Sequence, residues 1–325
     1  MYTLKYTAKR LLFMIFTFLI IISACFILVR LLPNVPAQQF GKDMDLVLKS
    51  RYRQGLVDEK GNEIPLLVQY FNFFRKTLIG GDWGISEKLY FGQDCFGVFL
   101  EKLPNTILVN AYSSLLAVPL GLMLGIYAAL KKNKWQDHAI STGVMILVSV
   151  PSYVYAFLIQ YYLCYKLDLF PLHMRGGGEY FTWATFRSML PAVISLSLSS
   201  IAGYARFTRA ELTEVLTSDY LLLARTKGLT RAQTTTRHAL RNAMVPIFPS
   251  ILTEVIAVLS GSLIIESIFE VPGVGPLYTE SITTLDYNFF LLLSAFYTLI
   301  GLTAGIVMDL SYGVIDPRIR MGSKK

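Results

Sequence analysis

Six stretches of this chain stay apolar for roughly twenty residues at a time, the length an α-helix needs to cross about 30 Å of hydrocarbon. They run from Leu11 to Val29, Thr106 to Leu130, Ala139 to Tyr165, Met189 to about Ala205, Pro246 to Ile268 and Phe289 to Leu310. Composition agrees with that pattern. Of the 325 residues, 54% are apolar and 16% charged, whereas a soluble enzyme carries about a quarter charged residues. A disordered or nucleic-acid-wrapping chain would be far poorer in apolar residues. The expectation is an all-α integral membrane protein with six transmembrane helices, embedded in the lipid bilayer and with no nucleic-acid partner.

The net charge of +8 then has to be read by position. With the N-terminus inside, segments 1–10, 131–138, 206–245 and 312–325 carry 17 Lys/Arg, while the short outer loops 166–188 and 269–288 carry 3. The outer segment 34–103 exceeds the length over which the positive-inside rule holds, and its nine cations balance nine carboxylates. Both termini are therefore expected in the cytoplasm. Ile22-Ser23-Ala24-Cys25 is similar to a lipoprotein cleavage site. The apolar run continues to Val29, however, where a mature lipoprotein turns polar. Cys25, Cys95 and Cys164 follow no disulfide or metal spacing.

Segment 34–103 has helix signals around Leu66-Leu67-Val68 and Tyr70-Phe71, and turn signals in Gly80-Gly81-Asp82-Trp83-Gly84. It contains no histidine and reads as a cap on the outer helix ends, or as a contact for an external partner. Gly121/Gly125 and Gly301/Gly305 place small residues on one helix face, where helices pack closely or form a dimer seam. The fourth run carries Ser195, Ser197, Ser199 and Ser200 and should prefer protein or a water-filled passage to lipid. Glu254 falls in the fifth run. It reads equally as a passage-lining group or as one paired to a neighbouring helix.

The stretch from Arg206 to Pro246 has seven cations but is patterned as a fixed structure. Thr217 and Ser218 can cap a short helix over 219–227, on which Tyr220, Leu223, Ala224 and Lys227 share a face, and Gly228 stops it. Thr230-Arg231-Ala232-Gln233 reads as a capping box opening a second helix toward Pro246. The pattern predicts a helix–glycine–helix elbow under the membrane. Such an elbow suits either an anionic lipid surface or a cytoplasmic protein.

At this elbow the sequence resembles the permease subunits of bacterial ATP-binding-cassette importers of the oligopeptide/dipeptide type. Residues Asp219 to Leu229 resemble that group's D-Y-x-x-x-A-R/K-x-K-G-L signature, and Arg237-His238-Ala239-Leu240-Arg241-Asn242-Ala243 resembles its R-H-x-L-R-N-A segment. Arg30-Leu31-Leu32-Pro33, Leu103-Pro104-Asn105-Thr106 and Val150-Pro151-Ser152-Tyr153 resemble further family motifs in order along the chain. So do Glu266-Ser267-Ile268-Phe269 with Pro272-Gly273-Val274-Gly275, and Asp316-Pro317-Arg318-Ile319-Arg320. Two departures stand out. Leu222 occupies the place of a glutamate found in the general importer loop, and Asn34-Val35-Pro36 replaces a common G-D-P.

The resemblance implies a type I, MetI-like importer transmembrane fold. It would comprise a first helix with external segment over 1–103, a transmembrane domain over 104–311 with its coupling loop at 206–245, and a cytoplasmic tail at 312–325. It also implies location in the bacterial inner or plasma membrane, as a multi-pass protein. Implied partners are a second homologous permease, two cytoplasmic ATP-binding subunits and an extracytoplasmic peptide-binding protein. The permease itself would need no cofactor, since ATP is bound by its partners. Asp219, Tyr220, Ala224, Arg225, Lys227, Gly228, Leu229, Arg237, His238 and Asn242 are the expected ATPase-coupling residues. Ser197, Ser200, Glu254 and Glu266 are the expected pathway residues. The chain carries no G-x-x-x-x-G-K-S/T loop and no hydrolase or zinc-protease signature, and His138, His173 and His238 are scattered. It is thus expected to be neither an enzyme nor a metal protein. The same permease type also imports nickel, metallophores or glutathione. More distant rivals are an ion-coupled carrier, for which no internal repeat is visible, and an intramembrane enzyme, for which Glu254 and Asp309 lack a surrounding motif.

Overall fold

The structure, a computed structural model, describes residues 2–32, 41, 43–176 and 178–315. The motif residues Pro33, Asn34-Val35-Pro36 and Asp316 to Arg320 lie outside them. In chain order the α-helices are α1 (Tyr2–Leu31), α2 (Met44–Gln54), α3 (Leu66–Asn72), α4 (Cys95–Leu130), α5 (Trp135–Ser149), α6 (Ser152–Ile159) and α7 (Trp183–Leu216). They continue as α8 (Asp219–Thr226), α9 (Arg231–Thr234), α10 (Leu240–Ala257), α11 (Leu263–Ile268), α12 (Val274–Thr283) and α13 (Tyr287–Ile315). Wider π-helical turns occupy Phe73–Ile79, Gln160–Lys166 and Thr235–Ala239. Among the described residues, extended pairing is limited to two isolated bridges, Val57 with Glu63 and Ile85 with Asp94.

Five helical stretches are long and apolar enough to cross a membrane, and a sixth forms if α5 and the helix from Ser152 to Lys166 count as one span bent by 98°. The bend has a local cause. Val150 precedes Pro151 and is held extended (φ −87°, ψ 126°), which ends α5. Several boundaries differ from the sequence expectation. Helix α4 starts at Cys95, about three turns before the apolar run that opens at Thr106. Asp94 caps it there: Asp94 Oδ2 accepts from the Gly97 N–H at 2.7 Å. The fourth run, Met189 to about Ala205, lies inside a longer helix, since α7 runs for 34 residues through Pro191. The fifth apolar run covers Pro246–Ile268, whereas the continuous helical stretch there is Arg231–Ala257. Pro246 and Pro249 lie inside α10, and the break comes later, at Ser260-Gly261-Ser262.

The chain forms two compact units that do not follow chain order. One comprises residues up to Pro104 together with Gly273–Leu302; the other comprises Asn105–Pro272 with residues from Thr303 on. In the first, segment 43–103 is bonded to the region around Asp286. The Asp286 carboxylate is fully buried. Its Oδ2 accepts from Ser86 Oγ at 2.6 Å and from the Lys88 and Leu89 N–H groups at 3.0 and 3.1 Å. Asn288 Nδ2 donates to the Ile85 carbonyl at 2.8 Å. Ile22, Phe26 and Val29 of α1 pack there on Phe73, Leu291 and Ala295.

In the second unit α7 is the central element. Over its most apolar window 56% of residues are buried, against 17% for α1. Lipid tails supply no hydrophobic drive between helices, so close approach and hydrogen bonding must hold the bundle. Gly121 and Gly125 provide the approach. A Cβ on Gly121 would lie 2.6 Å from Tyr204 Cβ, and one on Gly125 would lie 2.6 Å from the Ala205 carbonyl and Thr208 Cβ. The first small-residue pair is therefore used for packing α4 on α7. At the second pair, Gly301 and Gly305, a Cβ would stand in open space, with nothing within 4 Å. Gly125→Ala should therefore destabilise the chain by about 1–3 kcal/mol through overpacking, whereas Gly301→Ala should leave it unchanged. Thermal unfolding of the two purified variants in one detergent checks the contrast.

Candidate functional site

Two places concentrate the polar chemistry of the second unit. The first is the elbow. Helix α8 ends with the Gly228 N–H donating to the Arg225 carbonyl at 2.9 Å and the Leu229 N–H to the Ala224 carbonyl at 3.4 Å. These paired hydrogen bonds are those of a glycine-terminated helix. They need a left-handed residue, and Gly228 has φ +91°. At Thr230 the predicted capping box is present in both directions with Gln233. Ser218, by contrast, makes no side-chain cap; its hydroxyl donates to the Val215 carbonyl at 2.6 Å.

Only Leu221 of α8 faces inward, in a cluster with Ala129, Leu212, Ala239 and Ala243. Tyr220, Leu222 and Leu223 are exposed, at 44%, 63% and 55%. Asp219, Arg225, Lys227, Gly228, Arg237, His238 and Asn242 are also exposed, with Ala224 and Leu229 half-buried. The two arms are tied directly, Asn242 Nδ2 donating to Tyr220 Oη at 3.1 Å. Leu222 and Leu223, the most exposed apolar side chains of α8, are not singled out by the motif as docking residues. Their i, i+1 placement beside an inward Leu221 is the signal that marks them.

The helix that carries this elbow is braced by an ion pair which sequence reasoning missed. Asp137, 1% exposed, sits at the start of α5 and receives Arg209 of α7: Nε to Oδ1, and Nη2 to Oδ2 at 2.8 Å. The Asn133 N–H and Ser141 Oγ also donate to this carboxylate, at 3.0 and 3.3 Å. In the sequence the two residues lie 72 apart and look like two members of a cytoplasmic charge count.

The second place is the break after α10. Glu266 of α11 is fully buried. Its Oε1 accepts from the Ser262 N–H at 3.1 Å and Asn110 Nδ2 at 3.3 Å, and its Oε2 accepts from Thr106 Oγ1 at 2.9 Å. Asn105 Nδ2 donates to the Pro272 carbonyl at 2.9 Å, and Gln160 Nε2 to the Ile268 carbonyl at 2.7 Å. Gly261 has φ +66°, and a Cβ there would run into Glu266 Oε1 and lie 2.6 Å from Thr106 Cγ2. Glycine is required on both counts.

Next to this break, a cavity of about 140 Å³ is lined by Ser113, Ser114, Ser200, Glu254, Ser260 and Ser262 among others. Glu254 Oε1 accepts from Ser200 Oγ at 3.1 Å and from Ser114 Oγ at 3.4 Å. The expected pathway residues thus divide. Ser200 and Glu254 meet at one cavity. Ser197 is 1% exposed and its hydroxyl donates to the Ile194 carbonyl, while Glu266 is consumed by the network that closes the break. In this conformation neither lines open space. Among the described residues, no three His, Cys, Asp or Glu side chains gather as a metal site would require.

The second unit is thus built on long apolar helices with one bent pair, a break after α10 and a helix–glycine–helix elbow. Residues 121–321 match the family described as binding-protein-dependent transport system inner membrane component. The dipeptide transport system permease protein DppB of Bacillus subtilis (strain 168) is 32% identical over 321 residues, covering 98% of this chain and 99% of that protein. The oligopeptide transport system permease protein OppB of Salmonella typhimurium is 31% identical over 318 residues, with the same coverage. A chain from the crystal structure of an amino acid ABC transporter with histidines shares the fold. It has a TM-score of 0.50 at 20% identity, covering 67% of this chain and 94% of that one. The chain belongs to the binding-protein-dependent transport system inner membrane component family. It is a multi-pass membrane permease subunit of the ABC-importer class, not an enzyme.

Removing one partner of a buried ion pair leaves the other charge without compensation, at a cost of about 3–5 kcal/mol. Arg209 is one-third exposed, so water relieves part of its own loss and the larger penalty falls on the buried Asp137. Arg209→Ala should therefore lower the unfolding temperature of the purified subunit more than Asp137→Ala does. Differential scanning fluorimetry of both variants measures the order.

Proposed function

We propose that the chain forms one half of the membrane passage of an ATP-driven importer of dipeptides or oligopeptides. Its partners in this reading are a second, homologous permease, two cytoplasmic ATP-binding subunits and an external peptide-binding protein. ATP is bound by the partner subunits, and the permease needs no cofactor of its own. The peptide class is carried over from the names of the DppB and OppB relatives. The chain crosses the bacterial inner membrane six times with both termini in the cytoplasm. Five long apolar helices plus one bent pair, and 17 inner against 3 short-loop outer cations, support that topology. Residues 1–103 supply the first span and an external segment, 104–311 the transporting domain, and 312–325 a cytoplasmic tail.

The observation that carries the mechanism is the elbow. Helix α8 offers an exposed apolar patch of Tyr220, Leu222 and Leu223 flanked by Asp219, Arg225 and Lys227, while Leu221 anchors it to the bundle. Ala224, Gly228 and Leu229 shape the end of the docking helix, and Arg237, His238 and Asn242 brace the second arm. ATP binding by the partner shifts a two-state bundle through this lever, because the docked surface differs between the two states. Ser200 and Glu254 line the passage.

Proline fixes φ near −65°, against +91° at Gly228. Gly228→Pro is expected to leave the subunit at normal membrane abundance while peptide uptake falls at least about tenfold, the population shift lost with the docking geometry. Normal uptake by that variant would contradict coupling through the elbow. Topology is checked in a cysteine-free background. Thr226→Cys should react with an impermeant maleimide only from the cytoplasmic side, and Thr283→Cys only from outside.

A further inference from the structure

The cavity beside Glu254 has a chemical polarity that points to one kind of ligand. Its lining includes serines of α4, α7 and the break after α10, and one formal charge, the Glu254 carboxylate; no Lys, Arg or His lines it. Both serine hydroxyls that reach Glu254 donate to Oε1. Among the described residues no cation pairs with this carboxylate and no hydrogen bond reaches its Oε2. Helix α10 ends at Ala257, so the negative end of an 18-residue helix faces the same break. A discontinuous helix whose C-terminal end borders a polar cavity is an arrangement suited to cations. The volume of about 140 Å³ is several times the ~30 Å³ share of one water. It therefore admits a small cationic group together with the first atoms of the chain bearing it.

We propose that this cavity receives the primary ammonium group of the passing substrate, the free N-terminus, with Glu254 as counter-charge and the surrounding serine oxygens as further acceptors. An ammonium brings three donors and no acceptor. Glu254 Oε2 and the oxygens of the lining serines are acceptors that border the same cavity. Recognition of the terminus would hold whatever the peptide's side chains, which suits a passage that does not select among them. This deepens the peptide-import reading and rests on it.

The test is equilibrium binding of a radiolabelled dipeptide and of its desamino analogue to the detergent-purified permease–ATPase complex, without the external binding protein. The wild-type complex is expected to prefer the dipeptide about tenfold or more. Glu254→Gln should abolish that preference and Glu254→Asp should keep part of it. Ser200→Ala, which removes one hydroxyl from the carboxylate, should narrow it about threefold; it serves if Glu254→Gln does not assemble. Three results would overturn the proposal: equal wild-type binding of both compounds, no saturable dipeptide binding up to about 10 mM, or an undiminished preference in Glu254→Gln. Sodium-dependent binding lost in Glu254→Gln while the preference persists would mark a metal-ion site and overturn it too. Uptake by complete proteoliposomes separates the two levels. If the wild type imports no peptide of either N-terminal chemistry, the peptide-import reading fails. If it imports peptides and Glu254→Gln keeps the preference, only the ammonium site fails.

Discussion

A helix broken inside a membrane-spanning run frees backbone groups that lipid cannot satisfy, so protein must satisfy them. In this chain that duty falls on Glu266. Its carboxylate accepts from the Ser262 N–H at the start of α11 and, across the bundle, from Thr106 and Asn110 of α4. The break therefore costs no orphaned amide at Ser262. Helix α10 can end at Ala257, and α11 is held at a fixed place beside α4. Gly261 is drawn into the same constraint, since any side chain there would collide with the carboxylate.

The features proposed for transport follow from that break. Because α10 stops early, its C-terminal end and Glu254 border a cavity instead of packing through to the next turn. At its other end, α10 continues through the π turn Thr235–Ala239 to α9 and the elbow. A run of helix from Arg231 to Ala257 thus joins the proposed docking arm to the Glu254 cavity. The brace between Asp137 and Arg209 ties α5 to α7, and the close contact at Gly121 and Gly125 ties α4 to α7.

Much of this was legible in residues. The membrane class followed from run lengths, and the elbow from Gly228 and the Thr230–Gln233 box, because caps are set by residues close in sequence. The fifth apolar run and its helix have different ends because the apolar run continues across Ser260-Gly261-Ser262, and a three-residue break signal is outweighed by the apolar residues on either side. The same holds for Glu266. Its motif marked it as notable, but only the approach of Thr106 and Asn110, more than 150 positions earlier, makes it part of a closed buried network. Ser197 and Ser200 read alike in the sequence; one satisfies its own helix and the other reaches Glu254.

The sequence by itself determined the membrane environment, the helical class, the polarity of charge along the chain and the local geometry of the elbow. Each depends on transfer free energies or on backbone preferences that act within a few turns. The tertiary structure decided which buried carboxylate is structural and which faces a cavity, which glycine pair is packed, and which distant charges form the brace. Those outcomes depend on what a neighbouring helix presents at a distance of one hydrogen bond, and no periodicity along a single chain encodes that.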